Sequence, residues 1–228
     1  MKKNIFLSAL LSVVAFSFMN AQNVAVGLRV GASWQNVQSR DVTALGFNNI
    51  SVASFGAVAD VKLTNNITFH PEINYTEKGF KSNVGTDLSL FGASLPIGAR
   101  ATTVVKYIDA PLTIKYNFGN TEGVHFYAMA GPTLGYALSG NIESYAKVLI
   151  TDIKIGTTEI DLSAQNYKRF EVGGVIGAGV NLPVGNGNIF IDGRYTHSFM
   201  DVYEVPVVGA KVRNQGFGFS FGYSFNLN

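Results

Sequence analysis

Hydrophobic and polar side chains alternate with a period of two along most of this chain. The last stretch, GFGFSFGYSFNLN over 216–228, places Phe217, Phe219, Phe221, Tyr223 and Phe225 on one parity and glycine, serine or asparagine on the other. Such alternation is the signature of a β-strand whose two faces meet different surroundings. The same reading predicts eight strands, at 23–34, 54–63, 67–79, 103–118, 124–139, 169–182, 188–199 and 216–227, and no amphipathic helix.

The connections alternate in length. LTNNI (63–67), NFGNTEGV (117–124) and LPVGNGN (182–188) are rich in Asn and Gly, as tight hairpins require. Between them lie long stretches at 35–53, 80–102, 140–168 and 200–215. An even strand count with short turns at one end and long loops at the other predicts an all-β fold, an eight-stranded antiparallel up-and-down barrel.

Such a barrel can be apolar inside, like a soluble ligand carrier, or apolar outside, spanning a membrane. On the third strand Ile67, Phe69, Pro71, Ile73 and Tyr75 oppose Thr68, His70, Glu72, Asn74, Thr76 and Lys78. Every strand carries one apolar face and one small or polar face, charged on most strands, and the rings of all the apolar faces together are too bulky for eight strands to close around. The charged face is therefore read as the lumen, with acids and bases paired there as buried charges must be. The expected lumen network is Arg29, Glu72, Asp109, Lys115, Asp192 and Arg194, with Asp60, Lys62 and Glu171 on the same face. Gly27, Gly31, Gly56, Gly173, Gly177, Gly179, Gly218 and Gly222 share that parity, where room is short.

Aromatic placement supports a transmembrane barrel. Trp34, Phe55, Tyr75, Tyr136, Phe170, Phe199 and Phe217 fall on the apolar face near the long-loop rim. Phe69, Tyr116, Phe118, Phe126, Tyr223 and Phe225 fall near the other. Two belts of rings around an apolar band are what the two bilayer interfaces select. Tyr107 alone has the wrong parity for the upper belt.

Composition agrees: 47% of the 228 residues are hydrophobic, 14% are charged and mean hydropathy is +0.20, yet the apolarity comes in short pieces. No run after the N-terminus reaches the roughly 18 apolar residues of a membrane helix. MKK followed by the apolar run 5–19 and Asn20-Ala21-Gln22 has the layout of a secretory signal peptide. Residues 1–21 are expected to be removed, against the alternative of an uncleaved anchor, leaving 22–228 as one barrel domain in the cell outer membrane. A net charge of +2 without a basic run argues against nucleic acid, and the lack of cysteine excludes disulfides, thiolate metal sites and a cysteine nucleophile.

The strings FHPEINYTEKGF (69–80), YIDAPLTIKYNFG (107–119), FYAMAGPTLGYALSG (126–140), GVIGAGVNLP (174–183) and IFIDGRYTHSF (189–199), with the aromatic tail, resemble the PorT-type outer-membrane β-barrel family. The likeness runs in order over nearly all of the chain after the leader. It implies an eight-stranded barrel in a Gram-negative outer membrane, with some members assisting protein secretion. Asp109-Ala110 and His197-Ser198 depart from the family pattern. The tail also resembles the terminal signal by which outer-membrane barrels engage the barrel-insertion machinery, although it ends in Asn228 rather than an aromatic.

Catalytic chemistry finds little footing. His70, His125 and His197 form no ligand pattern, so no metal or other cofactor is expected. His197 and Ser198 are neighbours on a strand and point to opposite faces, which speaks against a lipid hydrolase. GVIGAGVNLPVGNGN lacks the GKS or GKT ending of a phosphate loop. The expectation is a non-enzymatic barrel with a structural or partner-binding role through its long loops. The alternatives are a PorT-like accessory of secretion, with a partner unknown, and a lipid hydrolase. The lumen charges could line a conducting path, but the size of eight strands favours a plug.

Overall fold

The computed structural model describes residues 24–39, 47–85, 89–90, 93–94, 98–148, 151–162, 167–205 and 210–227. The expected leader and its cleavage point lie outside these residues, as do 86–88, 91–92 and 95–97 of the expected loop 80–102.

Eight long strands form the barrel: β1 (Val24–Ser39), β2 (Ile50–Lys62), β3 (Ile67–Gly85), β4 (Gly98–Asn117), β5 (His125–Val148), β6 (Phe170–Val184), β7 (Gly187–Ser198) and β8 (Ala210–Asn226). Each pairs antiparallel with its sequence neighbour, and β8 returns to β1 from Ala25↔Asn226 to Ser39↔Val212. The eight strands close on themselves, so the barrel wall has no free edge. Short turns join β2 to β3, β4 to β5 and β6 to β7. In the last of these Gly185 takes φ +61°, the left-handed value that a tight hairpin demands.

Parity places the side chains as the alternation predicts. Leu28, Ile73 and Phe126 point outward with 72%, 63% and 69% of their surface exposed, while Arg29, Glu72 and Tyr127 beside them are buried. The inner glycines sit where a Cβ could not. One added at Gly222 would lie 2.2 Å from the Phe190 ring, and one at Gly179 would lie 2.6 Å from the Tyr127 hydroxyl.

The strands are longer than expected at the long-loop end. β1 runs on to Ser39, β3 to Gly85 and β5 to Val148, and β4 begins at Gly98, so much of the expected loops 35–53, 80–102 and 140–168 is strand. Short strands Phe47–Asn48, Thr151–Glu159 and Tyr203–Val205 add to β3, β5 and β8 above the barrel. The reason is that pairing continues where the polarity of the faces reverses. Above Trp34 the outward Asn36 is polar and the inward Val37 apolar and buried. On β8 the outward Arg213 and Gln215 flank the buried Val212 and Asn214.

Tyr107 shares the inward parity of Val105, Thr113 and Lys115. A bulge between Lys106 and Tyr107 against β5 accompanies a fully buried Tyr107, whose hydroxyl hydrogen-bonds to that of Tyr167 at 2.6 Å. The ring therefore packs inside the mouth rather than in the belt.

Candidate functional site

The lumen holds two clusters of charge rather than one. At the centre, Arg194 on β7 reaches Glu72 on β3 through Nη1, at 2.9 and 3.0 Å to its two oxygens. It also clasps Asp192 with Nε and Nη2 at 2.8 and 3.0 Å. Ser220 and Tyr127 donate to the Asp192 carboxylate at 2.6 and 3.0 Å. Arg29 Nη1 lies 3.4 Å from Glu72, and Asn74 donates to Glu72 at 2.7 Å. His70 stands between Glu72 and Asp60 at 3.0 and 2.8 Å, and Lys115 meets Asp60 at 3.1 Å. Arg29, Lys115 and Arg194 thus face Asp60, Glu72 and Asp192, three cations against three carboxylates, which is how charges tolerate burial.

Nearer the mouth, Lys78 meets Asp109 at 3.0 Å and Glu171 at 3.4 Å, and Asn214 donates to Glu171 at 2.9 Å. Of the six residues expected in one network, the structure joins Arg29, Glu72, Asp192 and Arg194 directly. It adds Lys115 through Asp60 and His70, and assigns Asp109 to this second cluster. Asp109 lies higher because its ladder partners, Asn74 on β3 and Gly135 on β5, sit toward the mouth.

β3 and β7 stand opposite each other in the closed ring, so the Glu72–Arg194 pair spans the bore. A cavity of about 200 Å³ lies on its short-turn side, lined among others by Asp60, Lys115, Asn117, His125 and Asn181. A smaller one of about 60 Å³ lies on the mouth side, between Arg29, Asn74, Lys78, Asp109 and Arg194. Buried Arg29 Nε, Asn74 Oδ1 and Asp109 Oδ1, on residues lining this smaller cavity, have no hydrogen-bond partner among the described residues, and a polar space of this kind has room for water.

Two lumen rings join this site that the pattern of charges does not single out. Tyr127 and Phe190 are fully buried and cover Lys115, whose ammonium lies 4.8 and 5.2 Å from their ring centres. Their parity, matching that of His125 and Asp192, was the available clue.

The belt residues lie on the outside. Trp34, Phe55, Tyr136, Phe170 and Phe217 are exposed toward one rim, and Tyr75 is half-buried against Phe55 at 5.2 Å. Tyr116, Phe118, Phe126, Tyr223 and Phe225 are exposed toward the other. His197 is half-buried and stacks on Tyr195, while Ser198 is buried on the opposite face and donates to the Met200 carbonyl at 2.9 Å. The two make no pair. Among the described residues no cluster of His, Asp or Glu is arranged to hold a metal ion.

A closed barrel with an apolar exterior, ringed by aromatics around an ionic lumen, defines an outer-membrane β-barrel protein. Residues 20–204 match the family described as outer membrane protein beta-barrel domain, and the chain belongs to that family. Its place is the outer membrane. Solved structures with similar architecture include Neisserial surface protein A (TM-score 0.40, 14% identity, 86% of this chain and 95% of that one). Others are outer membrane protease OmpT from Escherichia coli (0.49, 11%, 91% and 98%) and outer membrane protein OprG from Pseudomonas aeruginosa (0.45, 9%, 90% and 96%). At these values the likeness transfers no activity. No curated protein matches the chain.

Proposed function

We propose that this protein is a non-conducting, non-enzymatic outer-membrane barrel that acts as a structural or partner-binding element through its extracellular strand extensions. The observation that carries the reading is the Glu72–Arg194 pair across the bore, which leaves two separate small cavities in place of a channel. Support for an extracellular role comes from asymmetry. β3, β4 and β5, with the added strand Thr151–Glu159, rise well beyond the belt, whereas β7 stops at Ser198 beside it. Such a wall offers a rigid platform for a partner.

Purified protein in planar bilayers is expected to give no steady ion current, and a stable open-pore conductance in the wild type would overturn the plug. Photo-reactive residues placed singly at Ile155 and Thr157 in living cells should form adducts with protein. Labelling of lipid alone would leave the platform without a partner.

A finer reading, an accessory of protein secretion like some PorT-type members, draws on the strings at 69–80 and 107–119. Deleting the gene should then block export of secreted proteins with membrane composition unchanged. Export that continues at the wild-type rate would exclude it.

A further inference from the structure

Where the added strand leaves β5 at Glu159 and β6 has not yet begun, the outer wall has an open notch of about 630 Å³. Its apolar floor includes Leu138 and Ile160. Arg169 and Lys106 line it from either side of β5, opposite Ala137 and Ser139 respectively. Neighbouring strands lie about 4.8 Å apart, so the two cations flank one strand at roughly 10 Å between backbones.

The depth of this notch is fixed by its neighbours. Arg169 directly precedes the belt residue Phe170, and Phe170 pairs with Tyr136, so the notch begins one residue above the aromatic belt. That is the level of lipid headgroups. The guanidinium is held in place by three contacts: Nε donates to the Ala137 carbonyl at 3.2 Å, Nη2 to the Leu138 carbonyl at 3.1 Å, and the plane lies 5.2 Å from the Tyr136 ring centre. Among the described residues, neither Arg169 nor Lys106 is in an ion pair. Two cations outside any ion pair among the described residues, one of them preorganised, therefore stand at headgroup depth beside an apolar surface of Ile108, Tyr136 and Leu138 that is open to lipid. Arginine and lysine in such a place match phosphate oxygens. Glu159 and Asp161 also line the notch, on the same side of β5 as Arg169 and farther from the belt.

We propose that this notch binds the phosphate group of an outer-leaflet lipid, with Arg169 and Lys106 as its cations and the lipid's chains lying along Leu138 and Ile108. The test uses the purified barrel in nanodiscs containing lipid A, with retained lipid counted by native mass spectrometry. Wild-type protein is expected to retain lipid A, and Lys106→Gln with Arg169→Gln to lower retention roughly thirtyfold, the scale of about 1 kcal/mol for each of the two interfacial cations. Lys106→Gln alone removes no contact within the fold, so its smaller loss keeps the result interpretable if the Arg169 variant folds poorly. Dephosphorylated lipid A should be retained no better than by the double variant. Inorganic phosphate at millimolar concentration should not displace the lipid; displacement would point to a free phosphate site and overturn the lipid assignment. Equal retention by wild type and Lys106→Gln/Arg169→Gln, or equal retention of the dephosphorylated lipid, would overturn the proposal.

Discussion

Inside the membrane the barrel is packed with ion pairs; above it, the same barrel is packed with hydrocarbon. Around Glu72 and Arg194 the interior is charged and the exterior is Ile73, Tyr195 and Phe221. A few residues higher the interior is Val105, Tyr107, Ala137 and Leu162 on one side, and Val37, Val202 and Val212 on the other. The outside of the mouth there carries Asn36, Lys106 and Arg213. Inner polarity follows the outer solvent. Where lipid takes the apolar side chains, the lumen receives the polar ones. Where water lies outside, the mouth reverts to an ordinary hydrophobic core.

Breaking the charged half should cost most. Arg194→Met leaves Glu72 and Asp192 buried without their shared partner and is expected to destabilise the barrel by about 3 to 5 kcal/mol, read by urea unfolding in lipid vesicles. A loss below about 1 kcal/mol would mean that water in the adjoining cavities replaces the guanidinium.

The apolar half should respond locally. Leu162→Ala removes a buried side chain from the mouth cluster at a cost of about 2 to 3 kcal/mol. Hydrogen exchange should rise around 137–142 and stay unchanged around 189–194. A uniform rise would show that the two halves unfold as one unit.

Gly222→Ala pushes a methyl group into Phe190 and is expected to cost about 1 to 2 kcal/mol. Phe190→Leu in the same chain should recover part of that loss. Additive losses would place the strain elsewhere.

The smallest effect belongs to the hairpin above the mouth. Glu143 accepts a 2.6 Å hydrogen bond from Lys154 and another from Tyr145, and these hold its carboxyl below the ordinary value of 4.5. A depressed carboxyl contributes above its unfolded value and loses that contribution as pH falls through its folded one. The Glu143 carbon resonance should titrate below pH 4.5 and move back toward it in Lys154→Gln, with barrel unfolding unchanged because the pair is solvated. A midpoint unaffected by the substitution would assign the shift to Tyr145.

The sequence made the membrane half legible because lipid outside and charge inside give the alternation its largest contrast, as in Ile73 beside Glu72. Strand ends at the mouth were obscure because the contrast reverses there. Val37 reads as a loop residue only if the inner face is assumed to stay polar. The division of the lumen into two clusters depends on how strands stagger around the ring, which puts Asp109 level with Asn74 and not with Glu72. No periodicity encodes that stagger. Nor does alternation distinguish Phe190, a large ring among polar neighbours, from a misplaced belt residue; only the room left by Gly222 explains it.

The pair that spans the bore also bears on assembly. Glu72 and Arg194 are 122 positions apart and meet only when the sheet curls far enough to bring β3 and β7 face to face. Until β8 joins β1, the growing sheet carries unneutralised charge on one face and bare aromatics on the other. An insertion route for this chain must therefore offer water to one side and lipid to the other at once, and dismiss the water as the seam closes.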